Sequence, residues 1–244
     1  MTWLVPPLRH LGNRVLDLLY PPYCTVCRAP AEARLHLCPE CLAAAPKVCE
    51  PFCEICSTPF EGAIHSAMTC PACRDEPRVF DFAVAARRSQ GVVRECIHRF
   101  KYDNHFHLRL PLARWLAETL GDRRLTGTPW KALVPVPLHP LRERERGFNQ
   151  SAILAGLLAQ ESGLPVAALL RRTRFTRSQT RLGKVDRSEN LRNAFELRQS
   201  RDVRHHHFLL IDDVLTTGTT VNACARVLKR AGAASVGVLT VARA

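Results

Sequence analysis

The most informative stretch of this sequence is LLIDDVLTTGTT, residues 209–220. An apolar run ends in two adjacent carboxylates, Asp212 and Asp213, and a hydroxyl-rich loop around Gly218 then leads into a predicted helix. Backbone N–H groups at a helix start attract anions, and glycine lets a ligand approach the backbone closely. Carboxylates at the carboxyl end of a parallel strand can accept hydrogen bonds from sugar hydroxyls or hold Mg²⁺. The stretch therefore predicts a sugar site beside a phosphate site.

Segments with strand and helix periodicity alternate on both sides of this stretch. Strands are predicted over 79–86, 131–137, 166–170, 207–213 and 235–241. Helices are predicted over 8–19, 108–120, 150–161 and 220–231, and a further helix has the apolar face Val92, Val93, Cys96, Ile97 and Phe100. Such alternation indicates an α/β fold with a mostly parallel sheet covered on both faces. Residues 171–190 are predicted to form a long polar loop.

Nine of the 11 cysteines lie within residues 24–73, and eight of them form four C-x-x-C pairs. The pairs are Cys24/Cys27, Cys38/Cys41, Cys53/Cys56 and Cys70/Cys73. Two thiolates with this spacing bind one tetrahedral ion from a single tight turn, and a second such turn completes the ligand set. In a reducing compartment, repeated C-x-x-C pairs indicate zinc rather than disulfides.

Two pairings of these turns are compatible with the sequence. Sequential pairing joins the first turn with the second and the third with the fourth, whereas cross-braced pairing joins the first with the third and the second with the fourth. Either pairing leaves no coordination position for a catalytic water, so we expect two structural zinc ions. About 50 residues with few large apolar side chains need such ions to fold. Cys49, His36 and His65 are predicted to be bystanders.

Positive charge is concentrated in the second part of the chain. The protein has 35 Lys and Arg against 22 Asp and Glu, and residues 81–244 hold 28 of the basic but 14 of the acidic residues. This asymmetry favours a polyanionic partner, either nucleic acid or a small phosphorylated ligand. No stretch reaches the roughly 18 apolar residues of a membrane helix, and residues 1–22 lack the features of a secretory signal. We therefore expect a cytoplasmic protein that does not bind membranes.

Three stretches resemble known families. Residues 210–220 look like the phosphoribosyl pyrophosphate (PRPP) motif of type I phosphoribosyltransferases. Residues 134–150, VPVPLHPLRERERGFNQ, and Arg171–Phe195 resemble signatures of the ComF family of bacterial proteins. Four C-x-x-C pairs ahead of a PRPP motif also match the double zinc ribbon of that family. Its members include competence proteins needed for natural transformation, in which DNA is taken up, and proteins linked to gluconate use.

Residues 1–19 are assigned to an N-terminal amphipathic helix because of their apolar periodicity. The resemblance implies a double zinc ribbon over 20–78 and a type I phosphoribosyltransferase-like α/β domain over 79–244. Within the last unit, Asp212 and Asp213 would be the catalytic carboxylates that contact the ribose hydroxyls of PRPP, which binds with Mg²⁺. The full set of PRPP-binding residues that the resemblance implies is Val136, Pro137, Arg142, Arg144, Arg146, Arg172, Asp212, Asp213, Thr216, Thr217, Gly218, Thr219 and Thr220.

The basic and proline-rich residues of this set have specific expected roles. Val134–Pro137 would be the pyrophosphate loop, where a cis bond before Pro135 or Pro137 costs only about 1 kcal/mol. The three arginines that follow suit phosphate recognition, although a solvated helix face paired with Glu143 and Glu145 is the alternative. The early part of 171–204, which holds 11 Lys and Arg against 4 Asp and Glu, would close over PRPP.

Two classes of function follow. The first is a PRPP-binding protein, either an enzyme in which a nucleophile attacks ribose C1 as pyrophosphate leaves, or a non-catalytic PRPP sensor; no general base or acceptor is evident. The second is a module that handles single-stranded DNA, with partners in the competence machinery. In this second class the basic part would grip phosphates and Phe100, Tyr102, Phe106 and Phe148 would stack on bases. The two adjacent carboxylates favour PRPP, because they suit a ribose better than a DNA groove.

Overall fold

A four-stranded parallel sheet forms the centre of the protein. The structure is a computed structural model and describes residues 23–31, 35–62, 68–103, 105–174, 194–198 and 202–244. In spatial order the strands are β1 (Phe82–Arg88), β6 (Ser235–Arg243), β5 (His207–Leu215) and β2 (Trp130–Pro135). The neighbouring strands all run parallel, with Leu210 of β5 opposite Val134 on one side and Val238 on the other. The predicted α/β class is confirmed.

Helices cover both faces of this sheet. One face carries α3 (Gly91–Tyr102), α4 (Arg109–Ala117) and α6 (Gln150–Ser162), and the other carries α7 (Thr219–Arg230). The remaining elements are α1 (Pro39–Ala43), α2 (Pro71–Asp75), a 3₁₀ turn (Phe106–Leu108), α5 (Pro140–Arg146) and the antiparallel pair β3 (Leu170–Arg172) and β4 (Phe195–Leu197). Most of these helices and strands begin and end within a few residues of their predicted bounds, because their periodicity is visible in the sequence.

The two sheet faces have separate cores, because successive residues of a strand point to opposite sides. Leu209 and Ile211 pack with the helices of the first face, where Trp115 is almost fully buried. Phe208 and Leu210 pack on the other side with residues of α7, including Leu228. These apolar layers place the carboxyl ends of β2, β5 and β6 at one edge of the sheet.

The cysteine-rich segment packs against both faces. Cys24 and Cys38 belong to the core that contains α3 and α4, whereas the four cysteines from Cys53 to Cys73 belong to the core that contains α7. Backbone hydrogen bonds join the second half of this segment to β1, since Ala83 N–H donates to the Ile55 carbonyl at 2.7 Å. The segment is therefore part of the folded body of the protein.

Several expectations from the sequence are corrected. The strand predicted over 166–170 is wrong: Val166 forms only an isolated bridge with Leu133, and the chain then leaves the central sheet to form β3. The one cis peptide bond among the described residues precedes Pro51, so the cis bond expected before Pro135 or Pro137 is absent. The predicted helix over 8–19 and most of the predicted loop over 171–190 lie outside the described residues.

No helix among the described residues has the length and apolar character that are needed to cross a membrane.

Candidate functional site

Two buried carboxylates lie near the carboxyl end of β5. Asp212 is 8% exposed and Asp213 is 3% exposed, and β5 continues past them to Leu215. The Ser151 hydroxyl, at the start of α6, donates a hydrogen bond of 2.9 Å to Asp212 Oδ1. The backbone N–H of Asp213 donates to the same oxygen, also at 2.9 Å. The acidic pair is thus held by groups from two different elements.

Burial and neighbouring charges shift the pKa of Asp212. Removal from water raises the pKa of Asp212 to about 7, and the neighbouring charge of Asp213 acts in the same direction. The positive charge of Lys101 and the two hydrogen bonds oppose this rise but do not cancel it. Near neutral pH, Asp212 is therefore able either to hold a proton or to accept hydrogen bonds from a ligand.

Lys101 is the counter-ion of this pair, and no sequence pattern predicted its role. It lies in the last turn of α3 and forms an ion pair with Asp213 Oδ2, with 19% of the Lys101 side chain exposed. Burial lowers the pKa of Lys101, but the charges of Asp213 and Asp212 more than offset this effect, so the pKa is raised. Lys101 is therefore charged, and only the tertiary fold brings it to the carboxylates.

The hydroxyl-rich loop follows directly after β5. Thr217 Oγ1 lies 2.8 Å from Thr219 Oγ1, and Thr219 N–H points to the Thr217 hydroxyl at 3.4 Å. Gly218 has a φ of +79°, a conformation that side chains disfavour, and α7 begins at the next residue. The loop therefore presents hydroxyls and the N–H groups of a twelve-residue helix, which together suit an anion.

A cavity of about 630 Å³ opens beside this loop. Its wall is formed by Thr216–Thr219 on one side and by residues near the cysteine-rich segment, including Arg78 and Phe80, on the other. Neither Asp212 nor Asp213 lines it.

The strand end before α5 is tied to α6. Val136 is buried, its N–H donates to the Ile211 carbonyl at 3.0 Å, and its carbonyl accepts from Asn149 Nδ2 at 3.1 Å. Asn149 Oδ1 in turn accepts from the N–H of Ser151, which caps α6. Val136 and the adjacent buried Pro137 therefore sit at the same sheet edge as Asp212. Asn149 is therefore a positioning residue, although its place in the 134–150 stretch predicted no role for it.

The predicted phosphate-binding arginines have different surroundings in the structure. Burial lowers the pKa of Arg172 in β3, and the positive charge of Arg142 acts in the same direction, whereas the negative charge of Asp212 opposes it. Arg146 donates to Gln150 Oε1 at 2.5 Å and lies 5.2 Å from the ring of Tyr102. Arg144 is exposed and makes no hydrogen bond or ion pair with the described residues. A solvated helix face thus describes Arg144 best.

The eight paired cysteines form two clusters. Within each cluster the possible ligand atoms all lie within 4.8 Å of one another, and the members are Cys24, Cys27, Cys38 and Cys41 in the first and Cys53, Cys56, Cys70 and Cys73 in the second. The pairing is therefore sequential rather than cross-braced. Four thiolates at this spacing fit a tetrahedral zinc ion, and both sites are closed by protein ligands. Cys49 and His36 lie outside both clusters, as predicted, and His65 lies outside the described residues.

Two family models match separate parts of the chain. The family model of a double zinc ribbon domain matches residues 15–75, and that of a phosphoribosyl transferase domain matches residues 149–244. DNA utilization protein YhgH of Salmonella typhi is 34% identical over 242 residues, 98% of each chain. Competence protein F of Haemophilus influenzae is 35% identical over 153 residues, 61% of this chain and 66% of its own. A purine phosphoribosyltransferase structure from Pyrococcus horikoshii covers 52% of this chain and 67% of its own, with 15% identity and a TM-score of 0.32.

The fold and the two cysteine clusters define a class of protein in which a double zinc ribbon is joined to a phosphoribosyltransferase-type α/β domain. Within that class, the chain belongs to the ComF family: the DNA utilization protein matches it along almost its whole length, and the competence protein matches 61% of it.

Proposed function

We propose that this protein binds PRPP, or a closely similar phosphorylated sugar, at the carboxyl edge of the sheet. The observation that carries the proposal is the placement of the buried pair Asp212 and Asp213 immediately before the anion-binding loop Thr216–Thr220. A sugar that bears a 5′-phosphate offers both groups that this arrangement suits. The carboxylates accept hydrogen bonds from vicinal hydroxyls, and the loop donates to the phosphate.

The remaining residues suit the other end of such a ligand. Val136 and Pro137 follow directly after β2, and the charge of Asp212 acts on Arg172, which also feels the charge of Arg142. In the proposed complex these groups surround the pyrophosphate. Mg²⁺, held by the ligand's oxygens and the carboxylates, would offset negative charge on the pyrophosphate.

Phosphoribosyl transfer would need little covalent chemistry from the protein. The described residues would orient the ribose, and the cationic groups would stabilise charge that develops on the leaving pyrophosphate. Burial raises the pKa of Asp212 to about 7, so this carboxyl can exchange a proton near neutral pH. The acceptor is left open in the proposal, and a PRPP sensor would use the same contacts without turnover.

The names of the relatives suggest the biological setting. They describe a DNA utilization protein and a competence protein, so we propose that the ligand site serves the handling or use of incoming DNA. The free thiols of Cys96 and Cys224 and the two thiolate clusters are consistent with a reducing compartment such as the cytoplasm.

A second candidate function is contact with single-stranded DNA. Tyr102 is 61% exposed and Phe106 is 41% exposed, and each ring has an arginine beside it: Arg146 at 5.2 Å and Arg109 at 4.2 Å. Such aromatic–arginine pairs stack on bases. Phe100, predicted to do the same, is fully buried and cannot, and Phe148 is half-buried against it, with ring centroids 5.1 Å apart.

Calorimetric titration with Mg-PRPP separates these functions. We expect saturable binding that the Asp212→Asn/Asp213→Asn variant weakens by more than about 100-fold, because two charge-assisted acceptors are lost. Asp202→Asn, at an exposed position, is the matched control and should bind as the wild type does. Absence of binding by a folded, zinc-loaded wild type would contradict the PRPP proposal. Binding of single-stranded DNA that falls with salt and with Tyr102→Ala would then support the second function.

A further inference from the structure

The second cysteine cluster is linked to the end of β5 by one hydroxyl and one guanidinium. Thr58 Oγ1 lies 3.0 Å from Cys56 Sγ and accepts hydrogen bonds from Arg243 Nε at 3.1 Å and Nη2 at 2.8 Å. Because both N–H groups are donors, the proton of the Thr58 hydroxyl is available to the Cys56 sulfur. Thr58 therefore joins a predicted metal ligand to Arg243.

The same guanidinium holds the start of the anion-binding loop. Arg243 Nη1 donates to the carbonyl of Leu215 at 3.0 Å and to that of Thr216 at 2.7 Å. The Ala244 N–H also donates to the Leu215 carbonyl at 3.0 Å. A guanidinium is planar and rigid, so it meets Thr58 and both carbonyls only if the loop and the cluster keep a fixed spacing.

A second contact joins the loop to the segment that follows the cluster. The ring of Phe80 is 2% exposed and lies against Gly218, since a Cβ built there would be 3.7 Å from Phe80 Cε1. One residue earlier, the Val79 N–H donates to Asn222 Oδ1 in the first turn of α7 at 2.6 Å. The segment that follows the second cluster thus contacts both the turn of the loop and the start of α7.

The first cysteine cluster has different neighbours. There the Thr25 carbonyl accepts from Arg99 of α3, and the Thr25 hydroxyl hydrogen-bonds with His107 Nε2 at 2.9 Å. These contacts lead to the side of the sheet that carries Lys101. The link to the Thr216–Thr219 loop therefore belongs to the second cluster.

We propose that Thr58 and Arg243 are positioning residues that couple the second cysteine cluster to the Thr216–Thr219 loop and hold that loop in its ligand-binding conformation. The inference rests on the proposed function for the identity of the ligand, but the link itself is independent of it. In this view the second zinc ribbon is a supporting wall of the phosphate site, and not only an appended module.

Conservative variants test the link with little change in charge or volume. Thr58→Val removes the hydroxyl and keeps the shape, and Arg243→Lys keeps the charge but cannot reach Thr58 and two carbonyls together. Thr126→Val removes an exposed hydroxyl that bonds only locally to the Arg123 carbonyl, and it serves as the matched control. The readouts are hydrogen exchange of residues 215–220, affinity for Mg-PRPP and zinc content per chain.

We expect both Thr58→Val and Arg243→Lys to retain zinc, to exchange faster in 215–220 and to bind Mg-PRPP about tenfold more weakly. The control should match the wild type in all three readouts. Wild-type exchange and affinity in both variants would overturn the inference while leaving the proposed function intact. If the wild type does not bind Mg-PRPP, the proposed function fails, and the exchange of 215–220 alone then supports or overturns the link.

Discussion

At the scale of single residues, three buried ionisable side chains dominate the site. Asp212, Asp213 and Lys101 come from two elements, and the structure places one lysine against two carboxylates. A buried charge that loses its partner is expensive, whereas removal of both partners costs much less. The free energy of unfolding should therefore fall more when one partner of the ion pair is removed than when both are removed.

Loss of Lys101 tests this coupling. We expect Lys101→Met to lower the free energy of unfolding by about 3 kcal/mol, because Asp213 stays buried without its counter-ion. The double variant Lys101→Met/Asp213→Asn should recover part of that loss, as measured by urea denaturation at pH 7. Additive effects of the two changes would contradict a coupled pair.

Ionisation of Asp212 makes the stability of the protein depend on pH. Its folded-state pKa of about 7 lies above the usual value near 4, so between these values the folded protein binds more protons than the unfolded chain. The contribution of this group to stability is then present at low pH and is lost as pH rises toward 7, by at most about 1.4 kcal/mol per pH unit.

Urea midpoints measured from pH 5 to pH 8 check this sign. The Asp212→Asn variant should lose this component of the pH dependence, and Asp202→Asn should retain it. Stability that rises with pH by the same amount in wild type and Asp212→Asn would show that Asp212 ionises normally.

At the scale of elements, the sheet is closely packed around Gly237 of β6. A Cβ at this position would lie 2.9 Å from Leu209 Cδ2 and 3.0 Å from Trp130 Cη2, so β6 has no room for a larger residue here. The Leu209 and Trp130 side chains must shift to accommodate even one methyl group. A glycine in the middle of a strand is thus explained by the approach of side chains from β2 and β5.

Two glycine-to-alanine substitutions should change the free energy of unfolding in opposite directions. Gly237→Ala should lower the free energy of unfolding by about 1–3 kcal/mol because it overpacks the sheet. Gly156→Ala, within α6, meets open space and should raise it by about 0.5–1 kcal/mol through better helix propensity. Thermal or urea denaturation measures both, and destabilisation by Gly156→Ala would contradict the open space at that position.

Element prediction succeeded where a strand or helix has its own periodicity. β5 and α7 have it, and so does α3, whose buried residues Val93, Cys96, Ile97 and Phe100 were all predicted to lie on one face. The error at 166–170 has a physical reason. Those residues are apolar enough for a strand, but whether they join the central sheet or lead into β3 depends on β4 and α7, which are distant in sequence.

At the scale of the whole molecule, the two cysteine clusters pack against opposite faces of the central sheet. Cys27 of the first cluster is exposed, whereas all four cysteines of the second cluster are buried. Chelators reach exposed thiolates first, so the two metal ions should not be equally labile.

We expect zinc release to a chelating dye in two kinetic phases of one equivalent each, with the first cluster releasing faster. A Cys27→Ser variant should lose the fast phase and keep the slow one. Release in one phase, or loss of the slow phase in this variant, would contradict the assignment.

Short stretches of the sequence were enough to predict the features that depend on neighbouring residues. The motif at 209–220, the four C-x-x-C pairs and the strand–helix alternation depend on neighbours in the chain, so spacing alone predicted the sheet, the zinc ligands and the acidic pair. Tertiary structure decided the rest. The ion pair of Lys101 with Asp213 and the Arg243–Thr58 link join groups far apart in sequence. The choice between sequential and cross-braced zinc pairing likewise depended on the fold. Such contacts leave no periodic trace, because they arise only when packing of the two apolar faces brings the segments together.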